Sequence, residues 1–128
     1  MYHLWYYLIV MTKDKKHITV IFFKTESGKE PAREWLQDLS VADRKEIGKD
    51  LQDIEYSYPL GMPLVKKLEK DLWEVRSTLT EGTARIVFTV YGKKMILLHG
   101  FKKKTQKIEK KDIELARTRL KQHKEKRK

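Results

Sequence analysis

The stretch that most constrains the fold of this chain is residues 72–91. Two runs rich in β-branched and aromatic residues flank Thr80-Glu81-Gly82-Thr83, and side chains on a strand alternate between faces with a period of two. With those four residues as the loop, Leu79 faces Ala84, Thr78 faces Arg85 and Arg76 faces Val87. One face then collects Trp73, Val75, Leu79, Ala84, Ile86, Phe88 and Val90, and the other Glu74, Arg76, Thr78, Arg85 and Thr89. Shifting the register by one residue would set Arg76 against Ile86 and bury its charge, which is costly. The hairpin therefore places Arg76 and Arg85 as diagonal neighbours, roughly 7–8 Å apart, on a polar face. On a solvated face neither arginine contributes much to the core.

The flanking segments complete a β-α-α-β-β-β-α order. His17–Lys24 reads as a strand ended by Ser27-Gly28. Pro31 suits the first position of a helix carrying Trp35, Leu36 and Leu39. Ser40-Val41-Ala42-Asp43 resembles a capping box, and Ile47, Leu51, Ile54 and Tyr58 keep helical spacing up to Pro59 and Gly61. After Gly61-Met62-Pro63, Leu64–Leu68 suggests a short strand ahead of the hairpin, and Met95–Phe101 a strand after it. Ile113, Ala116 and Leu120 put one apolar stripe on a final helix whose other faces are charged.

At 128 residues the chain is sized for one domain, with residues 1–16 as an N-terminal extension and His123–Lys128 as a frayed tail. Residues 1–10 are open to three readings: an added strand, a hydrophobic patch for a partner, or a misassigned start. The apolar run Leu4–Met11 is far shorter than the ~20 residues a membrane span needs and lacks a signal-peptide pattern. There is no cysteine, and His3, His17, His99 and His123 have no metal-ligand spacing. The expectation is a cytoplasmic protein with neither metal nor cofactor and no membrane partner.

Charge is strongly segregated. Of the net +11, residues 102–128 supply +9, with 13 lysines and arginines against 4 acids, whereas residues 30–58 are net −4. Such a bipolar chain would turn its C-terminal side toward a polyanion.

Five segments carry a family resemblance. Pro31-Ala32-Arg33-Glu34-Trp35-Leu36, Gly61-Met62-Pro63-Leu64, Leu68…Leu72-Trp73-Glu74-Val75-Arg76, Arg85-Ile86-Val87-Phe88 and His99-Gly100-Phe101-Lys102-Lys103-Lys104-Thr105-Gln106 together resemble the RelE/ParE toxin superfamily, and within it the HigB-like, phage-associated branch. The resemblance covers about residues 17–120. It implies an α+β, small RelE-like fold: a twisted antiparallel sheet packed by an N-terminal helical hairpin and a C-terminal basic helix. It also implies a toxin paired with a cognate antitoxin, of helix-turn-helix type, which alone would meet operator DNA. Ribosome-dependent members cut mRNA in the A site, so the ribosome and mRNA become expected partners.

The resemblance matches Arg76 and Arg85 to the family's strand arginines, Lys67 and Lys70 more loosely to basic residues ahead of the Trp strand, and His99 with Lys102–Lys104 to the end of the last strand. Where the family has Thr-Pro before its last helix, Lys107-Ile108-Glu109 stands here. Cleavage by the 2′-hydroxyl needs a base, an acid and cations that hold the phosphorane's charge. Arg76 and Arg85 suit the phosphate, His99 the base, and a crowded lysine of the 102–104 run, Lys104, the acid. Glu74 is a weaker candidate base. Lys67, Lys70, Phe101, Lys102 and Lys103 complete an RNA-binding set, with Phe101 placed to stack on a base. Patterning leaves the face of His99 open: a two-residue Gly92-Lys93 loop would set it with Ile86 and Phe88, a three-residue loop with Arg85. A gyrase-poisoning toxin of the same fold, or a non-catalytic basic nucleic-acid-binding protein, remain alternatives to mRNA cleavage.

Overall fold

In the computed structural model, residues 16–58, 65–103 and 107–126 are described. The elements are β1 (Thr19–Phe22), α1 (Pro31–Gln37), α2 (Val41–Ser57), β2 (Val65–Glu69), β3 (Leu72–Thr78), β4 (Thr83–Tyr91), β5 (Lys94–Lys103) and α3 (Lys110–Lys126). Five strands form one sheet in the order β1-β5-β4-β3-β2. This is the expected α+β architecture with one difference: β1 pairs with β5 in parallel, so the sheet is mixed. A parallel neighbour needs a long crossover. The helical hairpin and three further strands lie between β1 and β5 and supply it.

Helix starts follow the sequence signals. Pro31 opens α1, and the Asp43 N–H donates to the Ser40 side chain at 3.2 Å to cap α2. Ile47, Leu51 and Ile54 of α2 are buried with Val75, Ile86, Phe88, Met95 and Leu97 in a first core cluster on one face of the sheet. Ala116 and Leu120 of α3 close a second cluster with Phe23, Leu72, Val87, Ile96 and Leu98 on the other face. Strands β4 and β5 are thus covered on both sides, which explains the unbroken apolar run of β5.

The β3–β4 loop is four residues long, as expected, but lies one position earlier, at residues 79–82. Leu79 N–H donates to the Gly82 carbonyl at 3.1 Å, and Gly82 takes φ +83°, a backbone conformation that glycine adopts without strain. Thr78 therefore pairs with Thr83 and Arg76 with Arg85. The register has moved by two residues, so the predicted sorting of faces survives, while Arg76 and Arg85 stand directly opposite each other instead of diagonally. The β4–β5 turn is the two-residue Gly92-Lys93 form, with Tyr91 opposite Lys94. A bulge then reverses its expected consequence: Phe88 pairs with Leu97 but Val87 with His99. The extra residue, Leu98, turns His99 onto the face of Val87 and Arg85.

Gly100 lies under α1. A Cβ built there would sit 2.4 Å from the Trp35 ring, closer than packed atoms tolerate. Gly100→Ala should destabilise the fold by about 1–3 kcal/mol through overpacking; thermal unfolding checks this, with Trp35 fluorescence reporting the displaced ring.

Candidate functional site

The candidate site is built on the α3 side of the sheet. Period-two alternation puts Glu74 and Arg76 on that face of β3, and the β3–β4 register brings Arg85 opposite Arg76. Two like charges in directly opposed positions repel. Here Glu74 Oε1 accepts from Arg76 Nε at 2.8 Å and from Arg85 Nη1 at 3.3 Å, so one carboxylate braces both guanidinium groups. The Glu74 side chain is 0% exposed, that of Arg85 3% and that of Arg76 36%. The expectation that both arginines lie on a solvated face thus holds only for Arg76. Arg85 is buried on the α3 side of the sheet, opposite Phe101 of β5 and beside Ile108 and Ile113 of the α3 region. Glu74, the weaker candidate base, is enclosed beside the two cations and braces both.

Over this braced pair lies a cleft of about 280 Å³. Lys66, Lys67, Arg76, Arg85 and Lys107 line it with Glu74, and Ile108 and Ile113 form its apolar wall. Five cations against one acid make a strongly anion-attracting recess. Lys66 pairs with Glu74 across β2–β3 and shares its face. Neither Lys66 nor Lys107 stands out in the sequence, because each reaches the cleft through pairing or helix docking.

Beside the cleft, on the same face, His99 Nε2 lies 2.8 Å from Asp112 Oδ1 of α3. Asp112 is 7% exposed, and its Oδ2 has no hydrogen-bond partner among the described residues. Burial pulls the His99 pKa below its ordinary value; the hydrogen bond and charge of Asp112 oppose this, and the charge of Arg119 adds to it. Burial wins, so the ring is neutral at neutral pH. Arg119 Nη1 donates to the Leu98 carbonyl at 2.8 Å, anchoring α3 at the bulge that orients His99. Two residues earlier on α3, Arg117 donates to Glu69 Oε1 at 3.0 Å and to the Lys70 carbonyl at 2.7 Å, which ties the helix to the β2–β3 turn.

This constellation lies within a span that matches a known family. The model described as Phage derived protein Gp49-like (DUF891) matches residues 34–121. The chain belongs to the Gp49-like family. That family is toxin-like and part of the RelE/ParE-like toxin superfamily, and a toxin family implies an antitoxin partner. No curated protein matches the chain.

Within this Gp49-like domain the remaining sequence-derived candidates divide. Phe101 stands opposite Arg85, its ring stacked on His99 at a centroid distance of 5.1 Å. Lys103 shares that face, ion-paired with Glu109 and 6.0 Å above the Phe101 ring. Lys67 borders the cleft with its ammonium 5.9 Å above Trp73. Lys102 pairs with Ala84 and so points to the other face, where it meets Asp43 Oδ2 at 3.2 Å. Lys70 sits at the β2–β3 turn, away from the cleft lining. Lys104 and the Gly61–Leu64 turn lie outside the described residues, as do residues 1–15. Among the described residues no group of three or more His, Cys, Asp or Glu side chains could hold a metal ion, and no helix is long and apolar enough to cross a membrane.

Proposed function

We propose that this protein is the toxin of a type II toxin–antitoxin pair, of the HigB-like branch, and that it cuts mRNA on the ribosome without a metal ion. The observation that carries this reading is the Glu74-braced pair, Arg85 buried within a cationic cleft and Arg76 at its rim, with a neutral histidine on the same face. An RNA phosphate in the cleft meets Arg76 and Lys66 at its rim and the field of Arg85 beneath. The 2′-oxygen forms its bond to phosphorus as the phosphorus–5′-oxygen bond breaks, leaving a 2′,3′-cyclic phosphate and a 5′-hydroxyl. His99 takes the 2′-hydroxyl proton, and Lys104 returns a proton to the departing 5′-oxygen. The two guanidinium groups hold the negative charge that grows on the phosphorane, and their preorganisation by Glu74 removes the cost of assembling them during reaction. Phe101 offers a face on which a base stacks. Ribosomal RNA is the docking surface for the basic α3 and the Lys102–Lys104 run, the protein acts in the cytoplasm, and a helix-turn-helix antitoxin is its partner.

Single-turnover cleavage on ribosomes programmed with a defined mRNA tests the reading. The expected result is a cut in the A site that persists with a chelator present, together with ribosome affinity that falls with salt by about 0.7–0.9 log units per log unit of salt for each phosphate neutralised. Growth arrest with intact mRNA would favour the gyrase-poisoning alternative. No arrest in a susceptible bacterium would favour a non-catalytic binding protein.

A further inference from the structure

We infer that Asp112 is a positioning residue that holds His99 as its Nε2–H tautomer, leaving Nδ1 as the proton-accepting nitrogen. The role as base rests on the proposed function; the tautomer itself does not. An ionised carboxylate only accepts hydrogen bonds, so the 2.8 Å contact between Asp112 Oδ1 and His99 Nε2 requires the proton on Nε2. In a neutral ring the lone pair is then on Nδ1, the nitrogen not bonded to α3.

An acid in the first turn of a helix is commonly explained by the helix dipole. Asp112 does occupy the first turn of α3, but a dipole partner has no need of burial or of a histidine. Here the carboxylate is withdrawn from water, makes its one side-chain bond to His99 among the described residues, and keeps Oδ2 unbonded. Retaining a half-satisfied buried carboxylate is costly unless its charge has a use. Of the charged groups that act on the ring, Asp112 raises its pKa and Arg119, also on α3, lowers it; farther out on the same face, Arg85 is paired with Glu74 and Lys103 with Glu109. The α3 docking that builds the second core cluster therefore also sets the chemistry of the strand histidine.

Nitrogen-15 NMR of histidine-labelled protein at pH 7.5 tests this without requiring catalysis. The parent should show His99 fixed as Nε2–H. Asp112→Asn keeps the shape of the side chain but can donate to Nε2, so the ring should shift toward Nδ1–H. Because the carboxylate raises the His99 pKa, the variant's ring should also protonate at lower pH. Where cleavage is measured, its rate at neutral pH should fall at least ~10-fold, with the acid limb of the pH profile displaced downward. A parent ring fixed as Nδ1–H, or averaging between tautomers, overturns the inference even if Asp112→Asn fails to fold. An unchanged tautomer in a folded variant also overturns it. An Nε2–H ring released by the substitution, in a protein that cuts no RNA on ribosomes, upholds the positioning role and rejects the function.

Discussion

Arg85→Ala should destabilise the protein by about 3 kcal/mol, because removing one member of a buried ion pair leaves the other charge enclosed and undercompensated. Glu74 is 0% exposed and, among the described residues, would retain the ion pair with Arg76, whose side chain is 36% exposed. Urea unfolding followed by circular dichroism measures the loss. The double variant Glu74→Gln/Arg85→Ala should recover part of it, by ~1 kcal/mol or more, since the stranded charge is gone and residues in contact do not behave additively. A loss below ~1 kcal/mol for Arg85→Ala would mean that the guanidinium behaves as an ordinary surface group. The consequence for function is practical: weak activity in an Arg85 variant says nothing about catalysis until its folded fraction is known.

Arg76→Ala should slow cleavage by about 100-fold or more while changing stability by less than ~1 kcal/mol, because its guanidinium stands at the mouth of the cleft rather than beneath it. Single-turnover rates on programmed ribosomes, measured beside melting curves, separate the two effects. Arg76→Lys should restore only part of the rate, since an ammonium supplies charge without the planar fork that bonds Glu74 and a phosphate oxygen together. A folded Arg76→Ala protein that cuts at the parent rate would remove the arginine pair from the mechanism. It would leave the family membership intact, as that rests on the match over residues 34–121.

The two arginines show why the site was legible in part. Alternation along β3 and β4 assigns Glu74, Arg76 and Arg85 to one face, and that parity survives a register error of two residues because the period is two. Alternation carries no information about what covers a face. Phe101, Ile108 and Ile113, all distant in sequence, surround Arg85, so alternation gives its orientation but not its exposure. For His99 the two-residue Gly92-Lys93 loop alone implies the face of Ile86 and Phe88, but the bulge at Leu98 puts the ring on the opposite one. A bulge in a strand apolar on both sides leaves no mark in the pattern.

The sequence by itself determined the elements, their order and the sidedness of the central hairpin, because helix caps, turn glycines and hydrophobic period are local properties that neighbouring residues set together. Segments resembling a toxin superfamily were likewise visible as short runs in order along the chain. Only the tertiary structure decided that β1 joins β5 in parallel, that Lys66 and Lys107 enter the cleft, that Lys102 leaves it, and that Asp112 meets His99. Each of these depends on which distant surfaces come together, and that choice is made by the shared burial of two core clusters on opposite faces of one sheet.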